Sequence, residues 1–291
     1  MNKAKLGLLL TALGVVAFLA RPPGPPLRLP DAAPVLPRAS SLLALFSSHR
    51  LLLADFYWLQ ASYRTGLAST RYEYRDIAYY CQLVTDLDPD FRYAYVFGTL
   101  VPPVNLGRET WVNTAESTAM VEKGLARFPD DLQLRMLYGY NLSYFDRQFQ
   151  RAADEIVRAS KLPGAPSYLP ALATRMYATS NSFDAALALT ETLIAQATDD
   201  QTREFYERRR KEILLERILR TVDGATKSFR ARTGRAPFSV DELYLSGDLQ
   251  GPLIDPLGGN ITLDENGRAH STAVADRLQV YVGLHARPLE E

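Results

Sequence analysis

The sequence predicts a mainly α-helical chain: an α-solenoid behind an N-terminal transmembrane helix, closed by a small C-terminal module of a helix and a β-hairpin. Three observations predict it. Matching residues recur 34 positions apart through the middle of the chain, an apolar run follows two lysines at the start, and turn chemistry displaces helical periodicity after residue 233. With 291 residues, 47% of them hydrophobic, there is core material for one elongated repeat body. Lys+Arg and Asp+Glu both total 33, so the chain lacks the positive footprint that nucleic acid requires. The single cysteine, Cys81, allows neither an internal disulfide nor a thiolate zinc cage. It falls on the apolar face of a predicted helix and reads as a small buried hydrophobe.

Lys3 and Lys5 precede the apolar run Leu6–Ala20, which ends at Arg21-Pro22-Pro23. This is how a secretory signal or a signal anchor begins. As a helix the run spans only ~22 Å, and Lys5 and Arg21 would snorkel to reach the interfaces. A cleavage site after Ala20 places bulky Phe18 three residues back, where a small side chain is wanted, so an uncleaved anchor over residues 1–21 is the preferred reading. Cleavage near Ala20 is the alternative. No cysteine follows the run, which excludes a lipoprotein anchor. The N-terminal lysines hold that end in the cytoplasm and place the body outside, on a single-pass protein of the inner membrane with its folded part in the periplasm. Residues 22–40 carry a proline every few positions and read as an extended spacer.

Residues 41–200 read as helical repeats. At a shift of 34, Pro129 aligns with Pro163, Gly139 with Ala173, Phe149 with Phe183, Ala152 with Ala186 and Ala159 with Leu193. A small residue in the first helix lets the second approach, an aromatic fills the gap between repeats, and proline follows the second helix. An upstream copy keeps the second-helix spacing at Ile77, Cys81, Val84 and Pro89, with extra residues expected around Val101–Arg108. From about Asp55 to Ala197 the chain resembles the tetratricopeptide-repeat (TPR) superfamily. That resemblance implies a TPR-like α-solenoid whose inner helices bind protein partners. Aromatic residues crowd its first repeats, and Tyr57, Tyr63, Tyr95 and Tyr138 are the candidate partner-binding residues.

Residues 201–233 read as one capping helix, with an apolar stripe at Leu215, Ile218, Leu219, Val222 and Phe229. The basic run Arg208–Lys211 is flanked by Glu204, Glu207 and Glu212 at i,i+4 and reads as a solvated, salt-laced face. Residues 234–291 form the small module. Gly234 and Pro237 end the helix, Ser239 and Glu242 have capping-box spacing, and Asp255-Pro256-Leu257-Gly258-Gly259 is a tight turn. Brief strands at Asn260–Leu263 and Arg268–Thr272 flank Asn266-Gly267. Through Gly234, Pro237, Asp255, Pro256 and Gly258 this stretch resembles the tail of type II secretion pseudopilins, without their N-terminal helix.

Chemistry is sparse. His49, His270 and His285 lie far apart, and no nucleophile elbow, P-loop or dinucleotide fingerprint is present. The expectation is therefore no catalytic residue, no metal and no cofactor; an enzyme assembled around Asp255 and His270 is the weakest reading. Asp130-Asp131 and Asp199-Asp200 read as helix N-caps. The stretches Leu53–Leu59, Asp86–Tyr95 and Leu162–Pro166, on top of the anchor, spacer and tail, resemble bacterial TPR proteins found with an ABC transporter in type IV pilus and gliding gene sets, notably in deltaproteobacteria. The resemblance implies a membrane-anchored scaffold with an ABC transporter permease or pilus components as partners. A soluble exported peptide- or protein-binding TPR protein is the second reading.

Overall fold

The computed structural model describes residues 32–108 and 110–280. The expected anchor over residues 1–21 lies outside them. Among the described residues no helix is long and apolar enough to cross a membrane.

The chain is mainly helical and solenoid-like. After α1 (Ala39–Phe46) and a single 3-10 turn at Ser47–His49 come α2 (Arg50–Leu67), α3 (Arg71–Leu87) and α4 (Arg92–Leu100). A two-stranded hairpin, β1 (Val104–Asn105) with β2 (Trp111–Val112), occupies the place where the repeat spacing required extra residues. Then follow α5 (Thr114–Arg127), α6 (Leu132–Tyr144), α7 (Phe149–Ser160), α8 (Leu169–Thr179), α9 (Phe183–Gln196) and the long α10 (Asp200–Thr233). The tail comprises α11 (Val240–Leu245), β3 (Ile261–Leu263) and β4 (Ala269–Ser271). Each helix from α2 to α10 packs on the next, and α3 with α5, α4 with α6 and α8 with α10 also touch, the stacking expected of a helical array.

The residues that repeat at 34 are the ones that set this stacking. Gly139 lies so close to α7 that a Cβ there would sit 2.8 Å from Ile156 Cδ1, while its counterpart Ala173 is fully buried. Phe149, Ala152, Phe183 and Ala186 are all buried. Helix starts are fixed locally. Thr70 and Glu73 form a capping box on α3, Asp131 Oδ1 accepts from Leu134 N at 3.0 Å, and Asp199 Oδ1 accepts from Thr202 N at 2.7 Å. Cys81 is fully buried, and burial pushes its thiol up to about 12.

One expectation about α10 is corrected. Arg208 pairs with Glu212 at 3.2 Å as the spacing predicts, but Arg209 turns inward and is buried, and burial lowers its pKa. The basic run is therefore not one solvated face, because successive helical residues rotate by ~100° and one of four must point toward α9 or α8. The C-terminal module packs on the second half of α10 through Leu215, Leu219, Val222 and Phe229 against Leu243, Leu249 and Ala269. Beneath that apolar contact lies a buried ion cluster. Arg277 donates to Glu216 at 2.7 and 3.0 Å and to Asp223 at 2.5 Å, and Glu216 is 1% exposed.

The D-P-x-G-G turn has a physical reading. Asp255 is buried, its Oδ1 accepts from Leu257 N at 2.7 Å, and its Oδ2 accepts from the Ser271 hydroxyl. Gly258 adopts φ +83°, the left-handed region that disfavours a side chain. A Cβ at Gly259 would lie 2.6 Å from Ala273 N.

Candidate functional site

The structure brings four elements together around an open, mostly apolar groove of about 750 Å³. One wall is α6, which presents Leu132, Met136 and Tyr140 at i, i+4 and i+8. The opposite wall is α8 with Tyr168 just before it and Leu172 within it, while Gly164 and Pro166 close one side. Ile156 of α7, Leu169 and Met176 form the floor and are buried in the main core. Both walls are the first helices of consecutive helix pairs. They face one another because α7, packed against both, holds them apart.

The charged groups of the groove gather at one end. Arg92, at the start of α4, reaches the N-terminus of α6, donating from Nη2 to Asp131 Oδ1 at 2.9 Å and to Gln133 Oε1 at 3.0 Å, with a second bond from Nε to Asp131. Burial would raise the Asp131 pKa, but the bonds from Arg92 and the Leu134 N–H outweigh it and hold the carboxyl below its ordinary value. This end presents a fixed, neutralised pair with Arg92 nearly half exposed. Tyr140 and Tyr168 stand at the rim, 46% and 54% exposed, and Tyr140 stacks on Tyr144 with ring centroids 5.0 Å apart. Two exposed tyrosines, two methionines and an apolar floor form a surface that fits apolar side chains of varied shape.

The four tyrosines chosen from the sequence are distributed differently, and two need correction. Tyr95 is 1% exposed, its ring 6.0 Å from Phe128 and its hydroxyl donating to Pro89 O at 3.1 Å. Tyr138 is buried on the far side of α6: its hydroxyl donates to Glu122 at 2.7 Å and accepts from Arg151 at 2.8 Å. Burial, then the Glu122 contact, push its pKa up to about 12. Residues two apart on a helix point ~200° away from each other, so choosing Tyr138 selected the face opposite Tyr140. Tyr57 is half-buried beside the core, and Tyr63 alone is freely exposed, on α2. The groove residues Met136, Tyr140, Tyr168 and Leu172 were missed. The signal for them is the Leu132, Met136, Tyr140 stripe, once Gly139 is recognised as facing α7.

Asp255 and His270 do not converge. Asp255 is buried against Ser271, whereas the preceding residue in β4, His270, is exposed and pairs across the hairpin with Thr262 at 2.8 Å. Asp264 Oδ1 is occupied by the N–H groups of Asn266 and Arg268, at 2.9 and 2.8 Å, which makes the Asp264–Gly267 stretch a hairpin turn. Among the described residues no group of three or more His, Cys, Asp or Glu side chains is placed to hold a metal ion.

Comparison with known protein families, with curated proteins and with solved structures finds no match to this chain.

Proposed function

We propose that this chain is a TPR-like scaffold of the cell envelope that captures a segment of a partner protein in the groove between α6 and α8. The groove carries the reading: an apolar trough between consecutive first helices, rimmed by exposed tyrosines and fixed at one end by Arg92–Asp131. Such a surface accommodates an amphipathic helix or an extended segment laid along it, with a few apolar anchors supplying most of the affinity. The repeat of 34 residues supports the TPR comparison, and the apolar run Leu6–Ala20 after Lys3 and Lys5 supports a single-pass inner-membrane anchor with the body in the periplasm. The resemblance of Leu53–Leu59, Asp86–Tyr95 and Leu162–Pro166 to TPR proteins found with an ABC transporter supports a partner among the transporter permease or the components of type IV pilus biogenesis.

The test is capture of the full-length protein from solubilised membranes, wild type beside Tyr140→Ala/Tyr168→Ala, with mass spectrometry of the retained proteins. The reading expects an ABC transporter permease or an inner-membrane pilus component with the wild type, reduced at least tenfold with the double variant. Equal recovery by both baits refutes the groove. A bait trimmed near Ala20 and free of membrane partners supports the soluble exported binding protein instead.

A further inference from the structure

Arg209 is a buried cation with little compensation. It is 8% exposed, and its Nε is shut off from solvent with no hydrogen-bond partner among the described residues. Its one ion pair there is long, Nη1 to Glu212 at 3.3 Å, and Glu212 is shared with Arg208 at 3.2 Å. Burial lowers the Arg209 pKa against the pull of Glu212, and the nearby Arg175 and Arg208 guanidinium groups lower it further. Buried charges are as a rule paired and hydrogen-bonded, so a guanidinium held in this way is poised to receive an anion from outside the fold. The surroundings show where that anion would come from. Arg209 follows Arg175 by 34 residues, the repeat interval, so the two hold corresponding places on α8 and α10, which touch. Arg175 is exposed, and its side chain makes no hydrogen bond or ion pair among the described residues. It follows Tyr168 and Leu172 at i+7 and i+3, so it shares a face of α8 with two residues of the groove and lies ~10 Å beyond Tyr168. The half-exposed ring of Phe205 covers the Arg209 guanidinium at 5.5 Å.

We propose that Arg175 and Arg209 together bind a carboxylate side chain of the partner segment whose apolar residues occupy the groove between α6 and α8. The proposal rests on the groove reading above and adds a requirement to it, an Asp or Glu placed beyond the apolar anchors and further along α8. Planar guanidinium groups match the two oxygens of a carboxylate. A doubly charged phosphate suits the pair less well, because Glu212, already beside Arg209, repels a dianion more strongly. In the free chain the under-compensated Arg209 lowers stability, and binding of the carboxylate relieves that penalty.

The probe is a library of random peptides displayed on phage and selected on the full-length protein in mild detergent, with the retained peptides then synthesised and titrated. The wild type is expected to select peptides with apolar residues followed at a fixed spacing by Asp or Glu. Arg175→Gln/Arg209→Met is expected to keep the apolar preference, lose the acidic one and bind a wild-type-selected peptide about tenfold more weakly, or worse. Arg209→Met alone is expected to raise the Tm of the unliganded chain by about 2 °C or more, the opposite of what a purely structural arginine gives. Selection of apolar peptides with no acidic position overturns this proposal and leaves the groove standing, whereas a wild type that selects no apolar peptide overturns both. A lower Tm for Arg209→Met with unchanged peptide affinity also overturns it. So does inorganic phosphate that raises the Tm of the wild type but not of Arg209→Met while no acidic residue is selected, which assigns the pair to a free anion.

Discussion

Substituting Arg277 by methionine removes the cation from the most deeply buried ion cluster in the described chain while keeping most of the side-chain volume. The guanidinium donates two hydrogen bonds to Glu216, one to Asp223 and a longer one to Ala269 O at 3.3 Å. Burial opposes its charge, but Glu216 and Asp223 more than compensate and raise its pKa. Without Arg277, Glu216 keeps its 1% exposure but loses its most deeply buried cationic partner. Breaking one partner of a buried pair costs about 3–5 kcal/mol. The lower end applies, because Arg220 at 3.1 Å and Gln279 at 2.9 Å remain on Glu216, and Asp223 keeps the Ala269 N–H at 2.8 Å. About 3 kcal/mol corresponds to a fall of about 6–12 °C in Tm for a body of this size. The assay is thermal unfolding by circular dichroism of Arg277→Met, Glu216→Leu and the double variant. The double variant is expected to recover at least half of the loss, since an apolar pair tolerates burial where a lone charge does not. A single-variant cost below about 1 kcal/mol, or strict additivity of the two substitutions, would refute the reasoning.

Three further outcomes follow from the geometry. Asp131→Asn keeps an N-cap side chain on α6 but loses the charge facing Arg92, so it should cost about 0.5–1 kcal/mol at pH 7. The Asp131 pKa is depressed in the folded state, so its contribution is complete above the unfolded value of about 3.9 and is lost as pH falls through the folded value. Urea titrations of the two proteins should therefore converge as pH falls below the ordinary carboxylate range, and a gap that persists once the carboxyl is protonated contradicts the assignment. Cys81, with its thiol pushed up to about 12 by burial, should resist a disulfide reagent at pH 8 for hours and react fully in urea. Rapid labelling of the native protein would mean that the α3–α4 contact opens easily. In the D-P-x-G-G turn, Gly258→Ala meets only backbone strain, about 1 kcal/mol, whereas Gly259→Ala drives a methyl group into Ala273 N and should cost about 2–3 kcal/mol. Denaturant midpoints in the reverse order would count against this reading of the turn.

What was legible in the sequence is what depends on near neighbours. The alignment of Pro129 with Pro163 and Gly139 with Ala173 marks helix pairs because a tight crossing needs a small residue at a fixed distance from the turn. Gly234, Ser239 with Glu242, and Asn266-Gly267 act within a few residues, and the ends of α10, α11 and the hairpin follow them closely. Rotational phase was harder. Tyr138 and Tyr140 are equally aromatic and two residues apart, and only the approach of Ile156 to Gly139 decides which one faces the groove. Arg209 belongs with them: four consecutive basic residues look alike until a neighbouring helix claims one. The Glu216–Arg277 pair joins residues 61 apart, with no local pattern to announce it.

The unbroken length of α10 has a mechanical consequence. At 34 residues it runs ~51 Å, with Ile213 set in the same core as the helix array and Leu215 through Phe229 set in the core of the tail. One rod is therefore mortised into two blocks; it contains no proline, and its one glycine, Gly224, lies within the stretch held by the tail. Load applied at the hairpin would travel along the rod to α8 and α9 as displacement rather than dissipate in a hinge. In such a frame the tail acts as a handle on the array.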